Sequence, residues 1–229
     1  MPLAKMTSET MAQIARMHLI EEQGATRKWL FEDNLNELRL FHATLEDFVE
    51  REEKRQVDQL SPLATHPDFW ADHYPYQWQD VIGQQLRHSF VVSLASASEF
   101  HLGLLCGDVA TVVQAPIDLK GGLISRSRKF LSAFAGFKAP NESAWQALGD
   151  LYVLRNCIAH NAALVEVDKD ASRLNAFIAR SPGISVPSAG LLEMKREFCT
   201  YALSAVESFF TDLHASFVAL CQRVANDGV

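Results

Sequence analysis

Apolar positions recur along most of this chain at intervals of three, four and seven, the period of a helix with one buried face. Ser8–Gln23 reads as a first helix, capped by Thr7 or Ser8, with Met11, Ile14, Ala15 and Met17 on its apolar side. Gly24 breaks or bends it. From Thr26 to about Val57 the pattern resumes as a long amphipathic helix. Phe31, Leu35, Leu38, Leu45 and Val49 form its stripe, and Leu30, Phe41 and Phe48 widen it. The tail E-R-E-E-K-R-Q reads as a solvated, mixed-charge helix end. Ser61–Gln79 carries Pro62, Pro67 and Pro75 among aromatics, the composition of a loop packed by Phe69, Trp70 and Trp78. Asp80–Val113 then predicts a buried helix with Val91, Leu94, Ala95, Leu102 and Leu105 inward.

The second half follows the same rule. Gln114–Leu119 turns at Pro116. Pro140 and Asn141 set up the start of another helix, with Asn141 as its cap. Its end, Leu148–His160, puts Leu148, Leu151, Tyr152, Leu154 and Ile158 on one broad face. A short helix is predicted at Ala171–Ala179. The turn-rich S-P-G-I-S-V-P-S-A-G suggests a small β-hairpin ending near Met194. Glu193 to about Ala225 closes the chain as a helix with Phe198, Tyr201, Ala202, Ala205, Phe209, Leu213 and Phe217 inward. The class is therefore all-α, with a small hairpin near residues 183–194.

Composition narrows the function classes. A net charge of -7 over 229 residues excludes a chain that is polybasic throughout, so any nucleic-acid site must be local. One local basic span exists: Lys120, Arg126, Arg128, Lys129 and Lys138 stand against a single acid, Asp118. It reads as a footprint for phosphates or, equally, as a solvated helix face. Gly121-Gly122 is not a phosphate-binding loop, since G-K-[ST] is missing. The four cysteines, Cys106, Cys157, Cys199 and Cys221, lie far apart in helical contexts. They read as buried free thiols in a reducing cytoplasm, not as zinc ligands. No signal peptide or membrane span is expected. His66, Asp68, Asp72 and His73 are potential metal ligands, but their spacing fits no established motif.

The chemistry concentrates in L-Y-V-L-R-N-C-I-A-H-N-A, Leu151–Ala162. Arg155 falls on the apolar face of its helix, where an unpaired guanidinium is costly. Glu99, beside the inward stripe of the preceding long helix, is its natural carboxylate partner or, equally, a solvent-facing residue. Asn156 and His160 are one turn apart on one edge. Arg155 and His160 lie roughly 140° apart on an ideal helix. They converge only where the helix ends or where the arginine reaches round, and Asn161 is a stop signal at that point. Read by itself, the set is a paired arginine and a histidine that favours the negative end of the helix dipole.

Arg155-Asn156 followed by His160 resembles the R-N-x-x-x-H signature of the HEPN family. S-A-S-E-F-H-L and then D-L-K-G-G-L-I-S-R-S-R-K-F-L precede it in the order seen in bacterial HEPN-like proteins. The likeness covers about Gln79 to Leu220. It implies an all-α HEPN-like helical bundle at 79–229, a linker at 61–78 and a separate N-terminal helical extension at 1–60. It also implies a homodimer whose two motif helices face a shared cleft lined by Arg155, Asn156 and His160. Glu99 and Asn161 would support that cleft, and Lys120, Arg126, Arg128 and Lys129 would bind RNA. The activity implied is a metal- and cofactor-independent endoribonuclease of toxin or defence type, with a protein antitoxin or regulator as a further partner. The alternative is a non-catalytic dimeric module for a nucleotide, RNA or protein. Some members carry a tyrosine two residues after the histidine, tied to nucleotidyl modification by an antitoxin. Here that position is Ala162, which argues against that form of control.

Overall fold

The computed structural model describes residues 8–119, 122–134, 137, 140–187 and 189–227, with side chains from Glu22 to Val224 within these, Gln23 apart. Helix accounts for 79% of the chain, and a two-stranded antiparallel hairpin lies near its C-terminus. In order these elements are α1 Ser8–Leu60, α2 Phe69–His73, α3 Gln84–Val113, α4 Leu123–Ser132, α5 Glu142–Asn161, α6 Ala171–Arg180, β1 Ile184–Ser185, β2 Glu193–Met194 and α7 Arg196–Asp227. A wide helical turn, Gln77–Gly83, leads into α3. Asn141 caps α5 as its position predicts: its Oδ1 accepts from the Ala144 amide at 2.9 Å.

Two compact units share these helices. One comprises 1–34, 97–149 and 205–229, the other 35–96 and 150–204.

In the first unit α1 runs through Gly24 without a break. A Cβ there would sit 3.3 Å from the Phe217 ring of α7, so the missing side chain serves close approach. Met11, Ile14, Ala15 and Met17 fall outside the residues whose side chains are described. Phe31 packs 4.3 Å from Phe210 and edge-on to His101 at 5.3 Å, and Trp145 meets Phe209 at 4.7 Å. Arg27 Nε donates to Asp108 at 2.8 Å.

His101 is buried, and its Nε2 has no hydrogen-bond partner among the described residues. Burial, with the nearby positive groups His214 and Arg27, pushes its pKa down from 6.5 to about 4. Burial also lowers His214. The folded state thus resists a proton that the unfolded chain accepts below pH 6.5. Stability falls as pH drops from about 6.5 towards 4, and this single group contributes a loss of about 3 kcal/mol. Melting temperature measured across that window is expected to fall less steeply in His101→Phe, and equal slopes in the two proteins would refute the assignment.

The second unit is built around a buried ion pair. Arg87 donates from Nε and Nη2 to the two carboxylate oxygens of Glu46 at 2.8 and 2.7 Å. His42 Nε2 stands 3.4 Å from the same carboxylate. Burial raises the Glu46 pKa, yet the bonds and charges of Arg87 and His42 outweigh it and hold the group at about 2. Arg87 and Gln84 also bind the Met194 backbone, and His88 meets the Leu192 carbonyl at 3.2 Å, which seats the hairpin on α3. Ile184 pairs with Met194 and Ser185 with Glu193, so α7 begins at Arg196, three residues after its predicted start. Gly183, at φ 68°, precedes β1. A Cβ there would come within 2.8 Å of the Phe198 amide nitrogen.

Several local expectations change. Phe41 and Phe48 are exposed instead of widening a buried stripe, and Tyr201 is exposed on α7. The charged tail of α1 is not idle, because Glu53 accepts from Tyr74 at 2.6 Å and from Gln79 at 2.7 Å. The segment Phe69–Val113 is long and apolar enough to cross a membrane by length and composition. Its apolar side chains are also those of a core, with Phe90, Val91 and Leu94 buried in one unit and Leu102, Leu105 and Val109 in the other.

Candidate functional site

Arg155, Asn156, His160 and Asn161 all lie at the C-terminal end of α5, within the second unit. The opposite side of that helix is anchored. Asp150, Leu154, Cys157 and Asn161 recur at three and four, so they share one face. Asp150, Leu154 and Cys157 on it are buried. Asn161 Nδ2 donates to the buried Asp168 at 2.7 Å, and Asp168 also accepts from the Asp170 amide at 2.8 Å. Burial, then the charge and hydrogen bond of Asp168, push the Cys157 thiol up to about 11. Asn161 thereby locks the end of its helix to the following loop.

Away from that face lie Tyr152, Arg155 and Asn156, half-buried, and Ala159 and His160, exposed. Arg155 Nη1 donates to Asn156 Oδ1 at 2.8 Å, and its guanidinium sits 5.9 Å over the Tyr152 ring. Its Nε is buried without a hydrogen-bond partner among the described residues. The arginine and the asparagine therefore act as one tethered pair. His160 follows Asn156 by one turn, and the helix stays regular through it. No hydrogen bond or ion pair joins the His160 side chain to another described residue.

The chain leaves α5 abruptly. Ala162 and Ala163 both adopt left-handed backbone, φ 49° and 65°, which costs non-glycine residues roughly 1–2 kcal/mol each. Hydrogen bonds fix the turn: Leu164 N–H to the Asn161 carbonyl at 2.9 Å, and Leu192 N–H to the Ala163 carbonyl at 2.9 Å. This sharp exit leaves His160 open at the end of the helix.

The remaining predicted residues sit elsewhere. Glu99 is half-buried on α3 and belongs to the first unit, whereas Arg155 belongs to the second. The basic span is also in the first unit. There Arg126 pairs with Asp118 at 3.0 Å and Arg128 pairs with Glu142. Lys129 is exposed, and Lys120 and Lys138 lie outside the described residues. Two of the cations counted in the sequence thus already hold carboxylates, and Glu142 was missed because it falls in the next helix. His66 is bound through its Nδ1 by the Asp68 amide, and His73 Nδ1 meets the Phe69 carbonyl at 2.9 Å. Among the described residues no group of three or more His, Cys, Asp or Glu side chains is placed to hold a metal. The cysteines are free thiols; Cys106, Cys157 and Cys199 are buried and Cys221 half-buried.

One polar cluster escaped the sequence reading. Asp150, fully buried on α5, accepts from Arg173 Nε at 2.7 Å and from Arg180, both on α6. The available signal was two arginines seven apart flanking Phe177, on one side of a short helix. Comparisons with protein-family models, curated proteins and solved structures find no match to this chain.

Proposed function

We propose that this chain is a HEPN-like, metal-independent endoribonuclease that acts as a homodimer, with Arg155, Asn156 and His160 of two protomers facing one cleft. One observation carries the reading: a tethered arginine–asparagine pair and an open imidazole lie within two turns on an anchored helix. That is the equipment needed to cut RNA by attack of its own 2′-hydroxyl on the adjacent phosphate. The guanidinium stabilises charge that develops on the phosphorane. An imidazole titrates in the range needed to take or give a proton. Asn156 holds the guanidinium and orients the phosphate. Two copies across a two-fold supply one imidazole as base and the other as acid. DNA lacks the nucleophile and is spared.

The non-catalytic alternative draws on the free His160 ring, which no described residue orients. Such a module would bind RNA, nucleotide or protein at the same face without cutting. RNA cleavage in excess EDTA separates the two readings. The wild type is expected to cut at an undiminished rate and His160→Ala to lose at least about 100-fold. Intact RNA with the wild type would leave the binding module standing, and a rate abolished by EDTA would overturn the metal-independent mechanism. Cytoplasmic location and a neutralising protein partner belong to this same proposal.

A further inference from the structure

Asp150 is a buried carboxylate that holds more cations than it needs. Two guanidiniums from α6 meet it, Arg173 Nε on Oδ1 at 2.7 Å and Arg180 Nη2 on Oδ2. Neutralising one carboxylate takes one arginine, so two arginines against one aspartate leave one positive charge over. The two side chains are about half exposed, at 48% and 47%, while the aspartate side chain between them is at 0%. Both guanidiniums are therefore open to an anion from solvent.

The arrangement is also stiff. Arg173 and Arg180 are seven residues apart on one side of α6, and both are pinned by the same anion. Arg180 Nη1 donates to the Ala176 carbonyl at 3.1 Å, and its guanidinium lies 5.4 Å over the Phe177 ring. Arg173 spends only Nε within its unit; Nη1 and Nη2 engage no other described residue. Lys169, exposed and four residues earlier, stands between Asp168 and Asp170 and leaves the charge of the patch to the two arginines. The Nη1/Nη2 fork of Arg173, fixed through Nε, matches the paired oxygens of a phosphate and loses little entropy on binding it, while Arg180 adds charge beside it.

We propose that Arg173 and Arg180, clamped on Asp150, form a phosphate subsite that binds the RNA backbone on the side of α5 away from the cleavage site. The inference rests on the ribonuclease reading. Asp150 lies five residues before Arg155 on α5, a rise of roughly 7.5 Å and a turn of roughly 140°, so an RNA strand passes round that helix to meet both places. RNA phosphodiester and free phosphate present the same oxygens, so both are used as probes.

The test uses the full-length His160→Ala chain, in EDTA, with a fluorescent single-stranded RNA whose binding is followed by anisotropy over a series of salt concentrations. Arg173→Gln and Arg180→Gln are each expected to weaken binding about three- to tenfold and to reduce the salt slope by about 0.7. Arg173→Lys keeps the charge and loses the fork; it is expected to bind between the two, and it serves as the readout if the glutamine variant melts early. Unchanged RNA affinity in well-folded variants overturns the subsite, as does a parent that binds no RNA at low salt. So does a melting shift with inorganic phosphate that depends on these arginines while RNA binding does not. Arginine-dependent RNA binding by a wild type that never cuts RNA supports the subsite and sinks the nuclease reading alone.

Discussion

Arg87→Ala is expected to destabilise the second unit by about 3–5 kcal/mol, a large share of the stability of a typical domain. The loss is not the worth of a salt bridge. It is the cost of leaving Glu46, only 4% exposed, ionised without its bidentate partner. The Met194 carbonyl and Gln79 Oε1 lose a donor as well. With Arg87 gone, burial raises the Glu46 pKa against His42 alone, and the carboxyl escapes part of the cost only by taking a proton. Combining Arg87→Met with Glu46→Leu removes both charges and fills similar volume, so the double variant is expected to be closer to wild type than Arg87→Ala. Urea unfolding followed by far-UV circular dichroism checks both. A loss below about 1 kcal/mol in Arg87→Ala would show that water reaches Glu46 and that the pair is not a closed one.

The same pair shows what was hidden in the sequence. Glu46 and Arg87 are ordinary charged residues of two amphipathic helices. Only the approach of segments 41 residues apart turns them inward. Asp150 is hidden for the same reason, since its partners come from a helix 23 and 30 residues further on. Local signals were more readable. The Asn141 cap, the Ala171–Arg180 helix and the hairpin at Ile184–Met194 rest on capping, period and turn chemistry within a few residues. Gly24 misled because glycine in a helical pattern reads as a break, while here its role is to admit a ring from another helix. At the candidate site, the spacing of Arg155, Asn156 and His160 was legible. The hydrogen bond between neighbours 155 and 156, and the left-handed exit at Ala162 and Ala163, were not.

Arg155→Ala is expected to reduce RNA cleavage by about 100- to 1,000-fold while leaving the melting temperature within a few degrees of wild type. The contrast with Arg87 follows from their surroundings. Arg155 is half-buried, and within its unit it touches a neutral amide and an aromatic face. Within its unit the lost cation–π contact is worth about 0.5–2 kcal/mol. Its proposed role is to meet charge that exists fully only in the transition state, so the loss falls on the rate of the bound complex and less on RNA affinity. Arg155→Lys keeps the charge but cannot hold the Asn156 oxygen and two phosphate oxygens together, so it is expected to recover only part of the rate. Single-turnover cleavage in EDTA, with melting curves on the same samples, separates the two effects. A variant that melts like wild type and cuts as fast would remove Arg155 from the reaction. One that loses rate only through weaker RNA binding would recast it as a backbone contact, leaving His160 without an electrostatic partner in the cleft.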